Sequence, residues 1–153
     1  FSYLPIDNTH KNQILFRSIS PAMIDDSLRD QALLWSKKII KSLNYIGVIC
    51  IEFFIDEDNK LYVNEIAPRV HNSGHLTIES YNISQFESHI RAVCNLTKVR
   101  PQIQSKAEMI NILGSEIFKY RNAQMKTNDF FHDYFKSEPK EGRKMGHLTK
   151  IKD

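Results

Sequence analysis

Apolar and polar positions alternate with a period of two over neighbouring stretches, Val48 to Ile55 and Leu61 to Ile66, with the turn-rich Asp56-Glu57-Asp58-Asn59-Lys60 between them. This pattern predicts a β-hairpin. On the first strand Val48, Cys50, Glu52 and Phe54 share a face, and on the second Leu61, Val63 and Glu65 do. With Asp56 opposite Leu61 around a four-residue turn, Glu52 stands opposite Glu65 on the same side, among apolar neighbours.

The pattern switches to a helical period over Ile24, Leu28, Ala32, Trp35, Ile39 and Leu43, predicting an amphipathic helix that backs the hairpin and buries Trp35. Ser20 is its expected N-cap, with Pro21 at the first helical position and Asp25 and Asp26 in the early turns. Before it, Phe1 to Pro5 reads as a strand end and Gln13 to Ser18 as a strand, joined through the polar Asp7 to Asn12. A second helix is expected from the capping-box signature Ser84-Gln85-Phe86-Glu87, with Phe86, Ile90, Val93 and Cys94 on its buried face and His89 on a solvated surface. Thr97 to Lys106 is polar, contains Pro101 and has no period, which predicts a linker with a domain boundary near residue 100. Beyond it, Ala107 to Leu113, Phe130 to Lys136 and Met145 to Ile151 read as strands, with a loop over Ser137 to Arg143. The expected organisation is α+β, with residues 1–99 forming one part and residues 100–153 a small, mainly β domain.

A chain of 153 residues can bury one respectable core, and 41% hydrophobic with 25% charged residues is ordinary for a globular protein. A net charge of +3 without an Arg/Lys stripe gives no support for nucleic-acid binding. Apolar runs are too short for a membrane span, and no signal peptide opens the chain. Cys50 and Cys94 lack metal-ligand spacing and read as core thiols of a reducing cytoplasm. The absence of an initiator Met, with a strand already under way, points to a piece of something longer.

Paired carboxylates on a sheet repel each other, and apolar surroundings make each one costly. A hard cation relieves both effects. Glu52 and Glu65 with the adjacent Asn64 would suit magnesium, which takes oxygen ligands and keeps waters for exchange with phosphate. Two alternatives stay open from the hairpin alone: a register shifted by one residue, or a glutamate at a solvated rim. Arg69, His71, Asn72, Ser73, Gly74 and His75 then place more donors in one loop than a turn requires. His71 and His75 lack an evident third ligand for zinc. Lys136, Lys140, Arg143, Lys144 and His147 collect around a glycine-containing loop, as either a phosphate cradle or a solvated basic rim. There is no glycine-rich phosphate loop with a following lysine, no dinucleotide fingerprint and no nucleophile elbow.

The segments Gly47-Val48 through Glu52-Phe53-Phe54, Val63-Asn64-Glu65-Ile66-Ala67-Pro68-Arg69-Val70-His71-Asn72-Ser73-Gly74-His75 and Ser84-Gln85-Phe86-Glu87 together resemble the 5-(carboxyamino)imidazole ribonucleotide synthases of the ATP-grasp superfamily. Asn111-Ile112-Leu113-Gly114 and Gly142-Arg143-Lys144-Met145-Gly146-His147 resemble the C-terminal domain of the same enzymes. A carboxylate hairpin alone would indicate only the superfamily; its conjunction with the histidine-rich loop is far more specific.

The resemblance implies the C-terminal half of an ATP-grasp domain, an antiparallel sheet with packed helices, followed by the small β domain. It implies an ATP-dependent ligase with Mg2+, in which bicarbonate and ATP form carboxyphosphate and the exocyclic amine of 5-aminoimidazole ribonucleotide is carboxylated for purine biosynthesis. On that pattern Glu52 and Glu65 hold the metal, Asn64 assists at the nucleotide, and Arg69, His71 and Asn72 are catalytic. Arg69, His71, Lys136, Arg143 and the weaker companion Lys144 would bind substrate, with the phosphate falling to Lys136 and Arg143. The missing N-terminal portion would complete the nucleotide pocket, leaving this piece inactive alone, and the complete enzyme would be a cytoplasmic homodimer. Phe135 departs from the pattern where a small residue is common, and Asp7 stands where Glu is common. The competing readings are another ATP-grasp ligase, of ribonucleotide transformylase or biotin carboxylase type, and a non-catalytic fragment.

Overall fold

The computed structural model describes residues 1–152. The architecture is α+β. Strands β1 (Asp7–Lys11), β2 (Ile14–Ser20), β5 (Lys106–Leu113), β6 (Asp129–Asp133) and β7 (Lys144–Lys152) build a five-stranded sheet in the order β1-β2-β5-β7-β6, while β3 (Cys50–Ile55) and β4 (Leu61–Ala67) form a separate hairpin. Every strand pairing is antiparallel. The larger sheet passes from β2 directly to β5, so residues from both sides of the irregular Thr97–Ser105 segment share one ladder. That segment is itself pinned: the Tyr81–Ile103 bridge and the Asn82 backbone bond to the Gln102 carbonyl (3.1 Å) hold it alongside its neighbour.

The first hairpin lies further along the chain than the sequence suggests. Asp7 to Lys11, expected as a connection, is strand β1, and the turn is only Asn12-Gln13. Both turn residues have positive φ (49° and 63°), the twist that two-residue hairpin loops require. β1 lies at the sheet edge, where polar residues face water, so its composition concealed it.

Helix α1 (Asp26–Ser42) likewise begins later than its expected cap. Ser20 is fully buried at the end of β2 opposite Ala107, its hydroxyl 3.2 Å from that of Tyr81. A residue held in an interstrand ladder cannot cap a helix, and long-range pairing overrode the local signal. Asp25 occupies the cap position instead, without a side-chain bond. The helix packs Leu28 and Ala32 on Leu61, flanked by Ile24, Trp35 and Phe53, which confirms that it backs the β3–β4 hairpin.

The short helices α2 (Thr77–Ser80), α3 (Gln85–Val93) and α4 (Ile117–Arg121) complete the fold. Ser84 caps α3 as expected, accepting from the Glu87 backbone N–H at 3.2 Å. The face of α3 expected in the core is not: Phe86, Ile90, Val93 and Cys94 are all exposed, and Gln85 is buried instead. An amphipathic stripe states that one face is apolar, not which surface covers it. His89 also differs from expectation, because its Nδ1 accepts the Val48 backbone N–H at 3.1 Å.

The sheet core consists of Leu76, Ala107 and Met109 near β2, and of Ile112, Ile117, Met145 and Leu148 toward β6. Met109 is completely buried. Met109→Ala is therefore expected to lower the unfolding free energy by about 2–5 kcal/mol, as read by urea denaturation, with the same slope as the parent protein.

Candidate functional site

The β3–β4 hairpin brings Glu52 opposite Glu65, by a route other than the expected one. The turn is one residue longer, because Ile55 rather than Asp56 pairs with Leu61. Asp56 organises that turn: its carboxylate accepts from the backbone N–H of Lys60 (2.8 Å) and Asp58 (3.0 Å) and from the Tyr62 hydroxyl (2.9 Å). These donors, Lys60 first, hold its carboxyl below the usual range. The ladder then slips at a bulge, Phe53 pairing with Val63 and Glu52 with Glu65, which leaves Asn64 without a partner. Leu61 and Val63 consequently follow Phe53, on the side of the hairpin against α1, and do not share a face with Glu65 as the strict alternation had implied. The bulge restores the acidic pair that the longer turn would have separated.

Glu52 and Glu65 line an open recess of about 440 Å³. His10, Gln13, Ile14 and Leu15 of the first hairpin form another wall, and Lys136, Gly142 and Lys144 bring the C-terminal sheet to the same space. His71 completes it, with Nε2 3.7 Å from Glu52 Oε1. Among the described residues neither glutamate forms an ion pair with a lysine or arginine within 4.0 Å. The acidic pair thus faces ammonium groups across the recess without contacting them.

The loop after β4 is held by buried hydrogen bonds. Gln85 accepts from the His71 backbone N–H at 2.9 Å through Oε1, and its Nε2 donates to the His71 carbonyl at 2.7 Å. The same Nε2 lies 2.8 Å from His75 Nδ1. Gly74 makes room for this amide, since a Cβ there would fall 2.6 Å from Gln85 Oε1. His71 Nδ1 is 2.9 Å from Ser73 Oγ, which turns Nε2 toward Glu52. Burial lowers the pKa of His71, against the opposing pull of Glu52. Asn72 exchanges amide hydrogen bonds with the buried Asn111 (3.0 and 2.7 Å), and Asn111 also donates to the Leu15 carbonyl at 2.9 Å. One asparagine of β5 therefore ties the loop to the wall of the recess.

The basic residues divide. Lys136 donates to the Lys144 carbonyl at 2.7 Å, and both lysines line the recess. Burial lowers the pKa of Lys144, Glu52 opposing and Lys136 and Arg69 adding to the effect. Arg143 is exposed and donates to the Glu138 carbonyl at 3.0 Å, whereas Lys140 pairs with Glu138 at 3.0 Å. Arg69 is exposed and donates to the Val70 carbonyl at 3.0 Å. Arg69, Arg143 and the bulged Asn64 are not part of the recess wall. His147 does not belong to the basic rim: it is buried in β7, stacked 4.5 Å from His132 and hydrogen-bonded through Nδ1 to the Tyr134 hydroxyl at 2.9 Å.

Sequence patterns missed His10 and Gln13, because their strand and turn were misplaced, and Gln85, which read only as part of a helix cap. They also missed the surroundings of Cys50. Its thiol, Glu52 and His71 offer donor atoms that all lie within 4.8 Å of one another. Burial pushes that thiol up to about 11.

With this geometry established, a model of the ATP-grasp domain matches residues 1–86. The chain belongs to the ATP-grasp family. A second model, the phosphoribosylaminoimidazole carboxylase C-terminal domain, matches residues 107–153. The N5-carboxyaminoimidazole ribonucleotide synthase of Staphylococcus saprophyticus is 43% identical over 97% of the chain and 40% of its own length. An ADP complex of an N5-carboxyaminoimidazole ribonucleotide synthetase superposes with a TM-score of 0.94 at 39% identity, covering 99% of this chain and 40% of that one. The Aspergillus clavatus enzyme in complex with ADP and 5-aminoimidazole ribonucleotide gives 0.92 at 32% identity, covering 98% and 42%. This ATP-grasp chain thus spans about 40% of the length of such relatives.

Burial also depresses two histidines of the ATP-grasp chain, His75 to about 4 and His147 to about 3. The unfolded chain takes up these protons near pH 6.5, before the folded one does. Their contribution to stability is complete above about 6.5 and is lost as pH falls toward the folded values, with a slope of up to about 1.4 kcal/mol per pH unit for each histidine. His147→Gln is expected to reduce that slope between pH 6 and 4.5, measured by urea unfolding at each pH.

Proposed function

We propose that the chain supplies the metal-binding and ribonucleotide-binding side of an N5-carboxyaminoimidazole ribonucleotide synthase. In the complete enzyme, ATP and bicarbonate form carboxyphosphate and 5-aminoimidazole ribonucleotide is carboxylated on its exocyclic amine. The observation that carries this reading is the pairing of Glu52 with Glu65 on the face that meets Lys136, Lys144 and His71 in one recess.

The donor set fits magnesium. Two carboxylates opposite each other, without a lysine or arginine within 4.0 Å among the described residues, are a hard-oxygen site whose mutual repulsion a divalent ion offsets. When bound, that ion would neutralise charge on nucleotide phosphates. Glu52 and Glu65 would hold it, and Asn64, exposed on the bulge beside them, would assist at the nucleotide after a side-chain turn.

The chain's other groups have separable tasks. Lys136 and Lys144 attract the ribonucleotide phosphate into the recess, and Arg143 on the adjoining loop adds a bidentate donor. His71, held by Ser73 and Gln85, presents Nε2 for proton exchange beside Glu52. Arg69 offsets anionic charge from the rim. Asn72 positions the loop through Asn111, which couples the two family matches across the division near residue 100. A different ATP-grasp ligase would share the acidic pair but has no reason to carry the C-terminal match at residues 107–153.

In the full-length enzyme, Glu65→Gln should reduce phosphate release from ATP at least about a hundredfold while the unfolding free energy stays within about 0.5 kcal/mol of the parent. Unchanged turnover at saturating magnesium would reject the metal role. Lys136→Ala and Arg143→Ala should each raise KM for 5-aminoimidazole ribonucleotide about tenfold or more, through loss of a charge-assisted bond, with little change in KM for ATP. A steady-state assay in which neither substitution moves the ribonucleotide KM would remove the phosphate assignment.

A further inference from the structure

Cys50 stands beside two residues of the recess wall, Glu52 and His71, and the proposed reaction gives its thiol no task. It lies two positions before Glu52 on β3, so both side chains leave the strand on the same side. Its ladder partner is Ala67, which is buried and brings no polar atom against the thiol. The Ser73 hydroxyl, 4.0 Å from the sulfur, is the only hydrogen-bonding neighbour of the Cys50 thiol among the described residues. The thiol, Glu52 and His71 donors lie within 4.8 Å of one another, close enough for small side-chain rotations to bring all three onto one ion.

We propose that Cys50, Glu52 and His71 form a binding site for a thiophilic divalent cation, with zinc the best fit. One sulfur, one imidazole nitrogen and one carboxylate oxygen are a donor set suited to zinc and poorly suited to magnesium, which prefers oxygen alone. Three protein ligands leave the fourth tetrahedral position to water or to Glu65, which stands opposite Glu52. The imidazole is prepared for the task, since Ser73 engages Nδ1 and leaves Nε2 on the side of Glu52. Gln85 holds the His71 backbone from both its N–H and its carbonyl, so the nitrogen is placed without a large ordering cost. As the sulfur–metal bond forms, the thiol proton passes to solvent and the ligand becomes thiolate.

The site shares Glu52 with the magnesium reading but does not rest on it. Glu52 belongs to both donor sets, so zinc at the thiol would compete with magnesium for its carboxylate. The decisive measurement needs neither nucleotide nor magnesium. Metal-free full-length protein, with Cys94 and any cysteine outside these 153 residues replaced by serine, is titrated with Co2+ as a spectroscopic probe. A thiolate-to-cobalt charge-transfer absorption that saturates stoichiometrically and is bleached by zinc is expected. Cys50→Ser should abolish that absorption, and His71→Ala should weaken cobalt binding about tenfold or more. His71→Ala leaves β3 untouched, so the test does not depend on a single variant. Absence of the charge-transfer absorption in that starting protein, its survival in Cys50→Ser, or undiminished affinity in His71→Ala would each overturn the proposal.

Discussion

Two like charges side by side on a ladder are the constraint around which this chain is arranged. Glu52 and Glu65 would repel each other in any sheet, and Glu52 is largely withdrawn from water, its side chain 16% exposed. Nothing in the hairpin itself relieves that repulsion. Across the recess, beyond ion-pair distance, stand Lys144 of β7 and Lys136 of the loop after β6, carried by the sheet that β1 and β2 also share. The β2–β5 ladder and the Asn72–Asn111 amide pair hold those elements together, so they set the distance between the acids and the lysines as well as the packing of the fold.

The loop beside the acids is fixed more firmly than its polar composition suggests. Its neutral hydrogen bonds each contribute on the order of 1 kcal/mol net, and their greater effect is to remove alternatives. Gln85 engages both sides of one peptide segment, Ser73 orients an imidazole, and Gly74 leaves the space the amide needs. The result is a nitrogen aimed at a carboxylate before any ion or substrate arrives. Burial keeps the neighbouring His75 and His147 neutral at physiological pH, and Lys136 and Lys144 bring ammonium groups to the recess.

Much of this was legible along the chain because it depends on local periodicity. The alternation at Val48–Ile55 and Leu61–Ile66, the stripe of α1 and the Ser84 cap all report which faces are apolar and where a helix can begin. The acidic pair was legible for a partly accidental reason. The expected turn was one residue too short, and the bulge at Asn64, which no alternation can reveal, compensated for it.

What the sequence by itself determined, then, was the set of strands and helices with a strong period, the donor-rich loop, and the chemistry of its acids. The tertiary structure alone decided which surfaces met. It made polar Asp7–Lys11 an edge strand, drew Ser20 into a ladder instead of a cap, left the α3 stripe exposed, and brought Cys50 within reach of His71. The physical reason is common to all four. Periodicity describes a residue's relation to its neighbours in the chain, whereas ladder pairing, burial and ligand geometry are relations between segments far apart, fixed only when the sheet closes.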